Sequence, residues 1–361
     1  MFKKKSSIIG LISLLSFNTI INCNPQHHNS NSGDSHGNMY CHSTFCMIPP
    51  QYKGVYSNII SSIPQNDSHA LKSTTLVGTR DSYDYNIENN VCKSQYFTIE
   101  EQYEIGIRVF HARINNRIGN PPDYPIVNKC GSSYGLLNTL IWQLDQLISK
   151  SNEEVRGVRK QFIILILEPQ FPAFNHNTVH RLLIQMSMVS NRVTVHWDFR
   201  DEYEYLKNKI LIHVPLHAFP LSTCRNIVSN NNTASSSVLQ KWADLRNQIA
   251  DYHSSLIPSS KFYACSVIRL GADSDTLPPA FVAGGIGPPY DERGDAYIIG
   301  GNTDTIPYRE DYTGTAFNTL YLTGINELFY KTWTPHKDSF NVILVDFPSP
   351  LLVDKLQIRI P

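Results

Sequence analysis

Hydrophobic and polar positions alternate in two rhythms along the chain. Short runs of aliphatic and β-branched residues recur at 74–77, 107–114, 162–167, 193–197, 210–214, 262–268, 296–299 and 342–345, and each predicts a strand. Between them, 98–104, 136–150, 179–190 and 238–254 carry the wider spacing of helices. In the second of these, Leu137, Leu140, Ile141, Leu144, Leu147 and Ile148 fall on one stripe, with Trp142 and Asp145 off it. Strands alternating with helices predict a parallel sheet with helices outside it. Eight strand candidates point to a closed α/β barrel rather than an open sheet, and no internal repeat or second domain shows. A barrel of about 250 residues with insertions fits within 361 residues.

The amino end breaks the pattern. Lys3, Lys4 and Lys5 precede an apolar stretch from Ile8 to Ile21 that is too short and too polar to span a bilayer. Residues 1–23 therefore read as an export signal. Cys23 is either removed with the signal or kept as a lipidated first residue. Residues 24–50 follow as a polar tether rich in Asn, Ser, His and Gly, and 51–361 as the barrel. Six further cysteines (41, 46, 92, 130, 224 and 265) permit up to three disulfides in an exported chain, with the pairing open. Cys41 and Cys46 suit a local disulfide better than half a zinc site. Asn66 and Asn231 are glycosylation acceptors if the source is eukaryotic.

Composition narrows the partners. A hydrophobic content of 41% supports a packed core, and 31 basic against 31 acidic residues give no electrostatic case for nucleic acid. Gly284-Gly285-Ile286-Gly287-Pro288-Pro289 lacks the strand-to-helix setting of a nucleotide loop and reads as a rim loop. Asn226 to Ser237 reads as a surface loop. His196, Asp198 and Arg200 alternate as on a charged strand end. In such barrels functional groups stand at the carboxyl ends of strands. That rule selects Arg80 and Asp81 after the first strand, His111 and Arg113 in the second, Glu168 after the third and Asp346 after the last.

Four segments carry a resemblance. Gly78-Thr79-Arg80-Asp81-Ser82, Gly106-Ile107-Arg108-Val109-Phe110-His111-Ala112-Arg113-Ile114, Thr313-Gly314-Thr315-Ala316-Phe317-Asn318 and Asn341-Val342-Ile343-Leu344-Val345-Asp346-Phe347 resemble, in order, motifs of the phosphatidylinositol-specific phospholipases C. The likeness runs from about residue 63 to 360 and is greatest to the small secreted bacterial enzymes. It implies a single α/β barrel of the phospholipase C-like phosphodiesterase type. It also implies Arg113 as the phosphate-binding arginine, Asp81 as the motif aspartate and Asp346 as the last-strand aspartate. It implies no metal, because the bacterial-type family uses arginine where others use calcium.

Three of the family's residues are replaced. Arg80 stands at its first histidine and Cys130, in Lys129-Cys130-Gly131, at its second; His111 stands at an aspartate. An arginine cannot deprotonate near neutrality, so Arg80 is no general base. Each lost acid or base typically costs about 10²–10⁴-fold. Three readings stay open: an inactive site, an acid–base function moved to His111 with Cys130 donating a proton, or His111 as an interior residue satisfied by Asp81 or Asp346. The expected function is a secreted, monomeric phospholipase C-like domain, impaired in catalysis, that binds a phosphoinositide or glycolipid headgroup at a membrane surface through Arg80, Arg113, Lys129 and Glu168. The alternative is an active metal-independent phosphodiesterase. Asp346 and Asp81 are expected to hold the two arginines in place around one anion.

Overall fold

The computed structural model describes residues 41–42, 45–46, 71, 74–87, 92–121, 123–128, 130–154, 161–171, 175–215, 220–228, 238–256, 264–271, 282–283, 325–334 and 339–357. The expected signal (1–23), Cys23, Lys129, the strand at 296–299, the Gly-rich loop, the segment from Thr313 to Asn318 and both glycosylation acceptors lie outside the described residues. Among those described, the strands of the main sheet are β1 (Thr75–Thr79), β2 (Val109–Ile114), β3 (Pro125–Val127), β4 (Ser133–Leu136), β5 (Ile163–Pro169), β6 (Val193–Thr194), β7 (Ile210–His213), β8 (Arg225–Val228), β9 (Ala264–Arg269) and β10 (Ser339–Val345). The α-helices are α1 (Ile99–Glu104), α2 (Leu137–Glu154), α3 (His176–Val189), α4 (Tyr203–Leu206), α5 (Val238–Ser255), α6 (Ile325–Thr332) and α7 (Pro350–Leu356).

The sheet runs β8-β9-β10-β1-β2-β5-β7-β6, with every neighbour in that path parallel. β3 and β4 form an antiparallel flap on β2. The sheet curls. Glu168 on β5 bonds Arg269 on β9 at 2.7 Å although three strands lie between. A flat sheet, at about 4.8 Å per strand, would hold those strands about 19 Å apart. The fold is thus the expected α/β barrel.

Strand alternation sorts the core into two layers. Leu76, Val109, Ile164, Ile166, Leu211, Val267, Val342 and Leu344 pack with one another inside the sheet. Val77, Phe110, Ala112, Leu165, Ile212, Ile268 and Ile343 face outward against the helices, where the α2 stripe of Leu137, Leu140, Ile141, Leu144, Leu147 and Ile148 is buried. Trp142, off the stripe, is exposed. Phe199 stacks on Phe340 near the amino end of β10, which places an aromatic plug opposite the strand ends discussed below. α1 opens on a full capping box, with Thr98 accepting from the Glu101 amide and Glu101 accepting from the Thr98 amide.

Three elements differ from the sequence reading. The strand expected at 193–197 is two residues long and lies on the outer side of β7, so β5 pairs directly with β7. Past Thr194 the alternation of His196, Asp198 and Arg200 belongs to a turn in which Arg200 pairs with its neighbour Asp198. The third difference is β8, which occupies the start of the expected loop at 226–237. Its Arg225 and Asn226 are exposed and only Ile227 is fully buried, so an edge strand of the sheet carries no hydrophobic rhythm to read. Disulfides join Cys92 to Cys130 and Cys224 to Cys265. Cys41 and Cys46 face each other as partners in a short antiparallel hairpin, and their side chains lie outside the described residues.

Candidate functional site

The alternation that fills the barrel also decides which polar groups meet at its mouth. Continuing each inward series past the apolar core gives Arg80 after Leu76 and Gly78, His111 and Arg113 after Val109, and Glu168 after Ile166. It gives His213 after Leu211, Arg269 after Val267 and Asp346 after Leu344. Register agrees: Arg113 lies beside Glu168 across β2 and β5, and His111, Ile166 and His213 stand at one level.

The turn after β1 is built by its own side chains. Ser82 Oγ donates to the Thr79 carbonyl and accepts from the His111 amide, while the Ser82 amide donates to the His111 carbonyl. Gln95 donates to the carbonyls of Arg80 and Val345, tying that turn to the end of β10. Asp81 sits at φ 45°, a left-handed conformation that aspartate tolerates better than most residues.

Two arginine–carboxylate pairs result. Arg80 Nε and Nη2 donate to the two oxygens of Asp346 at 3.0 and 2.9 Å, and both side chains are wholly buried. Gly271 presses on this pair, since a Cβ there would stand 2.6 Å from Asp346 Oδ2. Asn326 donates to the Asp346 carbonyl at 2.9 Å. Arg113 Nε lies 3.2 Å from Asp81 Oδ1, with its side chain 18% exposed. Asp346 thus pairs with Arg80 and Asp81 with Arg113.

His111 is buried between carboxylates. The Asp81 amide donates to its Nδ1 at 3.1 Å, which leaves the proton of the neutral ring on Nε2, 3.1 Å from Glu168 Oε2. Burial alone would push its pKa down, but the hydrogen bonds and charges of Asp81 and Glu168 outweigh burial and raise it above the ordinary value of 6.5. The carboxylates respond in the opposite sense. Burial would raise Asp81, yet Arg113, His111 and Arg80 hold it well below the usual carboxylate range. Glu168 is likewise depressed against burial, by His111, Arg269 and Arg113. Glu168 is the most open member of this group, at 33% exposure against 20% for Arg269.

Cys130 lies in the connection between the flap strands β3 and β4, close in sequence to Val127, the Arg113 partner on β3. Its sulfur is bonded to Cys92 and carries no proton, which removes it as the proton donor considered above. Four residues were missed in the sequence. His213 lies within the run at 210–214 and Arg269 directly follows that at 262–268, and following the inward alternation one step past Leu211 and Val267 would have found them. Asp84 and Tyr134, hydrogen-bonded to each other, gave no local signal. Burial and then Asp81 raise the Asp84 pKa well above 3.8. Among the described residues no group of three or more His, Cys, Asp or Glu could hold a metal ion, and no helix is long and apolar enough to cross a membrane.

No protein-family model and no curated protein matches the chain in sequence. Solved structures do match in shape. The phosphatidylinositol-specific phospholipase C of Listeria monocytogenes is similar with a TM-score of 0.52 at 16% identity, over 83% of this chain and 96% of that one. A pentafluoro-Phe-substituted form of the Staphylococcus aureus enzyme aligns with a TM-score of 0.51 at 11% identity, over 84% and 99%. A further S. aureus structure, concerned with modulation of that enzyme's membrane binding, gives 0.52 at 11%, over 85% and 100%. The chain therefore shares the fold of the bacterial phosphatidylinositol-specific phospholipases C.

Proposed function

We propose that this chain is an exported phospholipase C-like domain that binds the phosphorylated headgroup of a phosphoinositide, or a free inositol phosphate, and cleaves it poorly or not at all. One observation carries the reading. At the strand end where the resemblance puts a histidine, Arg80 is buried and forked onto Asp346, so the position holds a fixed cation with no proton to exchange near neutrality. Cys130, at the second replaced histidine, is committed to a disulfide.

The phosphate contacts come from Arg113 and Arg269, both partly exposed, rather than from Arg80. A guanidinium suits phosphate through its planar fork. Glu168 suits the hydroxyls of the ring that bears the phosphate. The alternative, an active phosphodiesterase with His111 as a relocated base, gains little support: that ring is wholly buried, with each nitrogen facing a partner. Export rests on the lysines and apolar stretch of residues 1–23, and peripheral contact with a membrane follows from the substrate class.

Hydrolysis of phosphatidylinositol by the purified protein tests the reading, with calorimetry of phosphate and inositol phosphate alongside. We expect no cleavage above background, weak binding of both ligands, and none in Arg113→Ala. An Arg80→His, Cys130→His double variant serves as the control for restored chemistry. Turnover that His111→Ala abolishes and Arg80→Ala spares would establish the relocated base instead. Absence of binding to the wild type would leave the barrel without a working site.

A further inference from the structure

We propose that the Cys92–Cys130 disulfide is a redox latch: a dithiol in the surroundings opens it while Cys224–Cys265 stays closed, and opening frees the flap tip beside Arg113. The consequence for binding rests on the phosphate contacts proposed above; the latch itself does not.

The two disulfides differ in access. Cys224 and Cys265 are 9% and 7% exposed and sit in the inner apolar layer of the barrel. Cys92 is 4% exposed, but Cys130 stands in an exposed turn with Gly131, Ser132 and Ser133. Thiol–disulfide exchange needs a thiolate in line with the sulfur–sulfur bond, so access decides which bond reacts, and exposed disulfides are the labile ones. A thiolate attacks Sγ of Cys130 from the solvent side. The bond to Cys92 breaks, and Cys92 leaves as a thiolate that takes up a proton. The second thiol of the dithiol then attacks the mixed disulfide and releases Cys130. The dithiol becomes a disulfide, and its two electrons and two protons pass to the cysteines.

One end of the latch is anchored. Cys92 begins a segment in which Gln95 bonds the carbonyls of Arg80 and Val345 and Ser94 accepts from the Phe347 amide, so this side is fixed to the ends of β1 and β10. The base of the flap is fixed too, by Tyr134 donating to Asp84 and by Gly135 packed on the Tyr83 ring. The tip, residues 128–132, folds on itself. The amides of Cys130 and Ser132 donate to Asn128 Oδ1, and that of Gly131 to the Asn128 carbonyl. This turn reaches across the end of β2. A Cβ on Gly131 would stand 3.1 Å from Gln170 Nε2, just past β5, and β2 with Arg113 lies between β1 and β5. The ladder joining the flap to β2 is two residue pairs long, Arg113 with Val127 and Ile114 with Ile126. Without the disulfide the tip loosens about that short ladder, and the neighbour that positions Arg113 is no longer fixed.

The test treats the full chain with rising dithiothreitol, then maps alkylated cysteines by mass spectrometry and follows hydrogen exchange and phosphate calorimetry. Cys92 and Cys130 should react at a dithiothreitol concentration about tenfold below that which opens Cys224–Cys265. The Cys130, Gly131 and Ser132 amides should then exchange faster while those of β5 keep their protection. If the freed tip holds its binding arrangement about a tenth of the time, phosphate affinity falls about tenfold, and reoxidation restores it. The Cys92→Ser, Cys130→Ser variant should match the reduced protein and ignore dithiothreitol; a response in it assigns the effect to another cysteine and sinks the proposal. Opening of both disulfides together sinks it as well, as does a tip whose exchange is unchanged by selective reduction. Phosphate affinity that survives loosening of the tip overturns the effect on binding. A chain that binds no phosphate in either state overturns the headgroup reading instead, while alkylation and exchange still decide the latch.

Discussion

Arg80 and Arg113 end neighbouring strands, each against an aspartate, yet the two pairs belong to different parts of the molecule. Arg80 and Asp346 are sealed from water and bonded through two parallel contacts, with Gly271 pressed against them. Arg113 keeps part of its guanidinium in solvent and shares its carboxylate with His111. The first pair has the geometry of a rivet between β1 and β10, while the second has that of a site wall. An identical charge type, one strand away, therefore does different work according to burial. At the strand end where the resemblance expects a histidine, the sealed pair supplies a cross-link between β1 and β10.

The largest effect should come from opening the sealed pair. Asp346→Ala leaves the Arg80 guanidinium buried without its carboxylate, and breaking a buried pair from one side costs about 3–5 kcal/mol. Chemical denaturation should show a loss of that size. A loss below about 1 kcal/mol, the range of exposed pairs, would erase the distinction between the two arginines.

Next comes the disulfide that ties the flap beside Arg113 to the segment seating Arg80. Cys92 and Cys130 enclose a separation of 38 residues, and removing such a link typically costs about 2–4 kcal/mol. Segments 92 to 95 also carry Gln95, which bonds the Arg80 and Val345 carbonyls. The Cys92→Ser, Cys130→Ser double variant should therefore lose stability and weaken phosphate binding together. A stability loss with unchanged binding would show that the disulfide serves only the sealed side.

Much of this contrast was legible in the sequence, and the limits were physical. The convergence of Arg80, Arg113, Asp81 and Asp346 followed from the motif resemblance, because parallel strands bring their carboxyl ends together, but which aspartate takes which arginine did not. Burial of Arg80 did not follow, since exposure at a barrel mouth depends on neighbours far away in sequence, such as Gly271. β8 stayed hidden because an edge strand with polar residues has no alternation to detect. Asp84 and Tyr134 meet only through a fold in which a turn of β1 and the flap strand β4 share one surface.

That buried acid offers a pH test. The native Asp84 pKa is raised by burial and by repulsion from Asp81, so the folded state holds the proton more tightly than the unfolded one. Its contribution is then fully present below the unfolded value near 3.8 and fades as pH rises through the native value. Asp84→Asn keeps an acceptor for the Tyr134 hydroxyl and cannot ionise. Relative to wild type, it should gain melting temperature steadily as pH rises from 4 toward neutrality. A constant offset across that range would mean that Asp84 does not titrate against Asp81.

The smallest effect on stability, and the sharpest on the comparison, belongs to Glu168. It is a third exposed and accepts from both His111 and Arg269 on one oxygen, so it competes with any anion for the cations of the site. Glu168→Gln keeps an oxygen able to accept those bonds and removes the charge. Because the pair is partly solvated, the cost in stability should be about 1 kcal/mol or less. Phosphate affinity should rise, since a competing carboxylate is gone from beside Arg113 and Arg269; a gain of about 1 kcal/mol reads as roughly fivefold in calorimetry. The corresponding change at the sealed pair, Asp346→Asn, should destabilise the fold and leave phosphate affinity where it was. If both variants shift phosphate binding alike, Arg80 reaches the ligand after all, and the two pairs form one site rather than a rivet and a wall.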